Sequence, residues 1–127
     1  MKSKISMLTG SIGSLLTDCG EALTAPTLVR YRLTNVAGWW RSCAHMIESG
    51  CWQSASETII LQLDELEKIG ANYITGVICN QMRSIALAMG EMGTDNEDMI
   101  YRYLTELHTN LVETMPLLIN AWNGVMA

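Results

Sequence analysis

The sequence has little positive charge and lacks a long apolar run. Eight lysine and arginine residues stand against thirteen aspartate and glutamate residues, which leaves a net charge of −5. Because binding to a phosphate backbone depends on several basic contacts, this balance argues against broad nucleic-acid binding. No stretch reaches the roughly 18 apolar residues that a membrane-spanning helix needs, and the segment 5–16 is diluted by glycine, serine and threonine. We therefore predict a cytoplasmic protein that does not enter a membrane.

Motifs for catalysis are also lacking. There is no Gly-x-Ser-x-Gly nucleophile turn, and the segment Gly10-Ser11-Ile12-Gly13 has neither a preceding strand pattern nor a phosphate-binding lysine. A di-metal helical site would place glutamate three residues before histidine, whereas Ser42 precedes His45 and Thr105 precedes His108 at that spacing. We expect neither enzyme activity nor a bound cofactor.

The four cysteines are candidates for zinc binding or disulfides. Cys43, His45 and Cys51 lie within nine residues, and thiolate and imidazole are common zinc ligands. On a regular helix, however, Cys43 and His45 point about 200° apart, so they cannot converge on one ion. We therefore expect no metal site. We also expect no export signal, so Cys19, Cys43, Cys51 and Cys79 are predicted to be reduced thiols.

Apolar residues make up 49% of the chain and charged residues 17%, a composition that favours a folded domain over disorder. The apolar positions recur every three or four residues in five segments, and none of these segments alternates as a strand does. The sequence predicts an all-α fold, a compact antiparallel bundle of about five helices with short loops, in a single domain over 1–127. The predicted helices are about 3–18, Pro26 to Gly50, Ser54 to Gly70, about 71–90 and Thr94 to Gly124.

Local signals place some of these boundaries. The segments Ser54 to Glu57 and Thr94 to Glu97 both resemble capping boxes, in which serine or threonine and glutamate bind the free amides of a helix start. The last helix is predicted to be the longest, and Pro116 within it predicts a kink or a break into two helices. In the fourth helix, small residues recur every four positions and would let another helix approach closely: Gly76, Asn80, Ser84 and Ala88.

Protein binding is the function class that the residue types favour most. The stripe of the second helix places Trp40 in the core, whereas Trp39 lies about 100° away, near Arg32 and Met46. Tryptophan and arginine are enriched at interface hot spots. The alternative for Trp39 is burial under another helix of the same bundle. The predicted partner-binding residues are Arg30, Arg32, Trp39, Arg41 and Met46.

Two further features bear on the partner. Tyr101 and Tyr103 cannot both face the core, so one of them is a second candidate contact. Residues 1–47 hold five bases against two acids, and residues 48–127 hold three bases against eleven acids. This separation favours a homodimer in which the basic half meets an acidic surface.

The predicted function is that of a non-enzymatic interaction or regulatory protein, such as an inhibitor or accessory factor that binds a larger intracellular complex through a helical surface. Two alternatives stay open. The first is a nucleic-acid-associated protein that uses Arg30, Arg32 and Arg41 for phosphate contacts and Trp39 for stacking. The second is an acidic mimic of nucleic acid, which presents carboxylates in place of phosphates.

Overall fold

A computed structural model describes residues 3–24, 27–69, 73–91 and 95–124. These residues form five α-helices, and none of them lies in a strand. The helices are α1 (Lys4–Ala22), α2 (Thr27–Glu48), α3 (Trp52–Ile69), α4 (Tyr73–Gly90) and α5 (Glu97–Gly124). The predicted all-α bundle is confirmed, and α5 is the longest helix with 28 residues.

Each helix packs against the next one along the chain, and α5 returns to pack against both α4 and α1. Neighbours in sequence are antiparallel: Ser6 near the start of α1 donates a hydrogen bond to the Ala44 carbonyl near the end of α2, at 3.1 Å. α1 and α5 are parallel, since the Thr24 amide after α1 donates to Asn123 Oδ1 near the end of α5, at 2.8 Å. The five helices therefore enclose one shared core.

The core contains the apolar stripes that the sequence predicts. Trp40 of α2 and Trp122 of α5 are its largest fully buried side chains. In α1 the buried face is shifted, because Ser6, Thr9 and Leu16 are buried while Leu8 and Leu15 are only partly covered. The buried residues of α5 are Ile100, Leu104, Leu107, Leu111, Leu118 and Trp122.

Gly13 lies at a close contact between α1 and α2. A Cβ atom at this position would stand 3.2 Å from the Ala37 carbonyl oxygen and 3.3 Å from Trp40 Cβ. A Cβ at Gly10 would meet nothing within 4 Å. The two glycines reduce the helical propensity of α1 alike, but only Gly13 allows the close contact.

The predicted start of α3 requires correction. α3 begins at Trp52, so Ser54 lies inside the helix and is not its cap. The reason is a Schellman motif that ends α2: Gly50 has φ 76°, its amide donates to Ile47, and the Cys51 amide donates to Met46. This tight turn lets α3 begin directly afterwards. At the other predicted capping box, Thr94 lies outside the described residues, while Ile100 donates to the Asn96 carbonyl just before α5.

Pro116 does not divide the last helix. α5 runs from Glu97 to Gly124 through Pro116, so the predicted break into two helices is wrong. The proline side chain is exposed, and its missing amide leaves the Val112 carbonyl without its usual helical donor. The loss of one backbone hydrogen bond on the solvent side costs less free energy than the packing of the buried residues on the other side of α5 contributes.

Candidate functional site

The predicted partner-binding residues of α2 do not form one patch. Arg41 Nη1 donates to Thr17 Oγ1 of α1 at 3.0 Å. Arg32, by contrast, contacts α3, where its Nη1 forms an ion pair with Glu65 Oε2 at 3.2 Å. Met46 also lies on the α3 side, since Thr58 of α3 donates to its sulfur at 3.6 Å. The residues are therefore divided between two flanks of α2.

Helical spacing places the other two candidates on the same flanks. Arg30 is exposed and lies about three turns before Arg41, on the α1 side. Trp39 is half-buried and stands seven residues from both Arg32 and Met46, on the α3 side. The arginines and the tryptophan therefore do not form the single stacking surface that nucleic-acid binding would use. A role for each residue in partner binding stays a prediction.

Three of the four cysteine thiols are buried, and all four are free of disulfides. Burial raises the pKa of Cys19 to about 11 and that of Cys43 to about 12. Burial also raises the pKa of Cys79. Cys43 Sγ donates to the Ala55 carbonyl and accepts from Gln62 Nε2, both at 3.7 Å. These neutral thiols are packed as core residues.

The histidines do not meet these thiols. His45 is exposed while Cys43, two residues earlier, is buried, as the helical angle predicts. Cys51, the third candidate zinc ligand, is exposed in the turn between α2 and α3. Across the described ranges, there is no group of three or more histidine, cysteine, aspartate or glutamate residues that could hold a metal ion.

A shallow groove between α1 and α2 brings serine hydroxyls near His45 and Glu48. Each hydroxyl is already used: Ser11 donates to the Met7 carbonyl at 3.1 Å, and Ser14 donates to the Gly10 carbonyl at 3.3 Å. Ser6 donates to the Ala44 carbonyl of α2. Activation of a nucleophile needs a hydrogen bond between the hydroxyl and a base, and the serines of this groove donate elsewhere.

A cavity lies at the end of the bundle where α1, α3 and α5 begin. Its volume is about 740 Å³, and its lining includes Trp52, Tyr101, Glu97 and Asp98. The two acids lie in the first turn of α5, where a carboxylate stabilises the positive end of the helix dipole. Tyr101 is exposed and Tyr103 is partly buried against the core. Of these two tyrosines, Tyr101 is therefore the one exposed to solvent.

The surface of α4 that faces away from the core carries few charged residues. We call it the α4 outer face. Arg83 is the only charged residue of α4. Leu87 is 67% exposed, more than any other large hydrophobic side chain among the described residues. The exposed residues that form this face are Gly76, Val77, Asn80, Arg83, Ser84, Leu87 and Gly90.

The predicted ladder of small residues lies largely on this face. Gly76, Asn80 and Ser84 are exposed, while Ala88 is buried. Gly76 is open to solvent, because a Cβ atom there would meet nothing within 4 Å. The close approach that the ladder predicts is therefore not made by another helix of this chain at Gly76.

An apolar groove between α3 and α4 adjoins the α4 outer face. Its volume is about 520 Å³, and Ile60, Leu63, Ala86 and Leu87 provide most of its lining. Its floor is tightly packed, since Ser56 Oγ donates to the Ala86 carbonyl at 2.8 Å. We call this feature the α3–α4 groove. Sequence reasoning missed it, because the groove depends on which two helices are neighbours.

Two opposite charges flank Leu87 along α4. Arg83 Nη2 forms an ion pair with Glu67 of α3 at 2.7 Å, and Arg83 Nη1 donates to Asn80 at 3.0 Å. Glu91 follows the helix and continues its last turn, because its amide donates to the Leu87 carbonyl at 3.1 Å. The Glu91 side chain is exposed and forms no ion pair with a described residue.

No family model, curated protein or solved structure matches this chain. None of the described helices combines the length and the apolar character that crossing a bilayer requires.

Proposed function

We propose that this chain is a protein-interaction module with a regulatory role in the cytoplasm, and that it acts by binding and not by catalysis. The contact surface is the α4 outer face together with the α3–α4 groove. The observation that supports this proposal is the exposure of Leu87 at the centre of a surface whose one charged helix residue is Arg83.

A helix on the surface of a soluble bundle normally directs charged and polar residues outward. α4 departs from this pattern because Arg83 is its only charged residue, whereas α3 exposes several acidic residues beside its apolar ones. Leu61 on the outer side of α3 is also exposed, at 54%, but acidic Glu57 and Asp64 lie one turn from it on either side. Leu87 has Arg83 one turn before it and Glu91 one turn after it, with Ser84 and Gly90 between. Isolated exposed leucines are ordinary, but an exposed leucine that adjoins an apolar groove is typical of a binding site.

Burial of this surface would supply binding free energy. Complete burial of a leucine side chain contributes about 1.5–3 kcal/mol. The small residues Gly76 and Ser84 add little area of their own, but they let a partner backbone come close. A partner helix with an exposed apolar side chain suits such a surface, since that side chain can enter the α3–α4 groove.

Site-specific photocrosslinking in the cells that produce the protein tests this function. A photoreactive phenylalanine analogue replaces Leu87 in one variant and Leu61 in a matched control. We expect crosslinked products from position 87 and few or none from position 61, because both positions are exposed but only the first lies in the proposed contact surface. Equal crosslinking at both positions, or none at position 87, would contradict the proposal.

A further inference from the structure

We infer that the partner of the α4 outer face is a second copy of this chain, bound antiparallel about a two-fold axis that passes Leu87, with Arg83 of each copy opposite Glu91 of the other. This inference rests on the proposed function and specifies its partner. The α4 outer face has features of a self-complementary surface, which a two-fold dimer requires.

The positions of two charged residues relative to Leu87 support this arrangement. Arg83 lies four residues before Leu87, and Glu91 lies four residues after it. Four residues correspond to about 6 Å along a helix, and positions four apart form one row on its surface. When two such rows run side by side in opposite directions and are centred at Leu87, each arginine meets the glutamate of the other copy. Parallel rows in the same register would instead oppose like charges.

Small residues flank Leu87 on both sides. Ser84 lies three residues before Leu87 and Gly90 three residues after it, on opposite flanks of the row. The serine side chain is small and glycine has none, so neither residue holds the two helices apart. The two Leu87 side chains meet at the axis and cover the adjoining α3–α4 groove, which removes the most exposed apolar side chain of the described chain from water.

Arg83 can accommodate the additional partner. Its bonds to Glu67 and Asn80 use one hydrogen on each terminal nitrogen, and a guanidinium has five N–H donors in a planar fork. Three donors therefore remain for a carboxylate of the second copy. The intramolecular ion pair also restricts the arginine side chain, which reduces the entropy that dimer formation costs.

Charge exchange between copies tests the inference. Sedimentation equilibrium of the full chain measures self-association of four samples: the wild type, Arg83→Glu, Glu91→Arg, and an equimolar mixture of the two variants. Each variant alone opposes like charges at both contacts, so we expect its dimer to dissociate at least about tenfold more readily than the wild type. In the mixture, the heterodimer has opposite charges at both contacts. We therefore expect association to return to near the wild-type level.

Leu87→Glu and Leu61→Glu provide the second comparison, and thermal melting followed by circular dichroism checks that every variant folds. We expect Leu87→Glu to be monomeric and Leu61→Glu to associate like the wild type. A monomeric wild type, or a mixture that associates no better than the single variants, would overturn the inference. If position 87 nevertheless crosslinks to a different protein, the proposed function holds, and only the identification of the partner as a second copy is wrong. If it crosslinks to nothing, both are wrong.

Discussion

Two glycines in α1 show how one residue type can have different effects in one helix. Both lower helical propensity, but Gly13 faces the Ala37 carbonyl and Trp40 across a close helix contact, and Gly10 faces open space. From the sequence both could be recognised as weak points of α1. Which of them is required could not be predicted, because the distance between α1 and α2 is set by the whole bundle.

Substitutions at these glycines should change stability in opposite directions. We expect Gly10→Ala to raise the free energy of unfolding by up to about 1 kcal/mol, through helical propensity alone. Gly13→Leu should lower it by about 1–3 kcal/mol, because the larger side chain must push α1 and α2 apart. Urea unfolding followed by circular dichroism measures both. A Gly13→Leu variant as stable as the wild type would show that α1 and α2 are not in close contact.

The buried thiols predict a loss of stability in alkaline solution. In the folded state burial raises the pKa of Cys19 to about 11 and of Cys43 to about 12, from the ordinary value of 9.0. The unfolded chain therefore loses these protons first. The stabilisation is complete below pH 9 and is lost as the pH rises from there towards 11 and 12, by up to about 1.4 kcal/mol per thiol and pH unit.

Urea unfolding at several pH values above 8 tests this effect. The free energy of unfolding should fall more steeply with pH in the wild type than in a Cys19→Ala, Cys43→Ala double variant. Cys51→Ala, which changes an exposed thiol, is the matched control and should keep the wild-type dependence. If the free energy of unfolding fell equally steeply with pH in the double variant and in the wild type, a role for the buried thiols would be refuted.

At the scale of the helix, the apolar spacing of α5 correctly predicted its buried face. Its apolar residues recur with steps of three and four, and six of them are buried as that spacing requires. The start of α3 was predicted two residues too late. The sequence does contain the capping-box pattern at Ser54 to Glu57, but the Schellman turn at Gly50 lets α3 begin earlier, at Trp52. Local patterns thus locate a helix more reliably than they locate its ends.

Pro116 should cost α5 stability although it does not break the helix. Because Pro116 is exposed and lacks the amide that would bind the Val112 carbonyl, Pro116→Ala should raise the free energy of unfolding by up to about 3 kcal/mol. Leu117→Ala, at the exposed neighbouring position, should change it by less than about 0.5 kcal/mol. Chemical denaturation measures both variants. A less stable Pro116→Ala variant would show that the local geometry of the proline is needed for packing.

At the scale of the molecule, the sequence could predict the all-α bundle but not its interaction surface. The patch predicted on α2 was chosen by residue type, and the structure divides it because α1 and α3 cover different flanks of α2. The α4 outer face had a partial signal, the ladder of small residues. That signal could not show whether the ladder faces the core or solvent, since the answer depends on where α3 and α5 lie.

The account depends on the α4 outer face being a contact surface, and matched variants at two exposed leucines test this most directly. Tagged Leu87→Glu and Leu61→Glu chains, checked for unchanged melting, are purified from cells that also contain untagged wild-type chain, and the bound proteins are quantified by mass spectrometry. We predict that Leu87→Glu loses the proteins that the wild type retains, the untagged chain included, and that Leu61→Glu keeps them. Identical sets of bound proteins for the two variants would contradict the account.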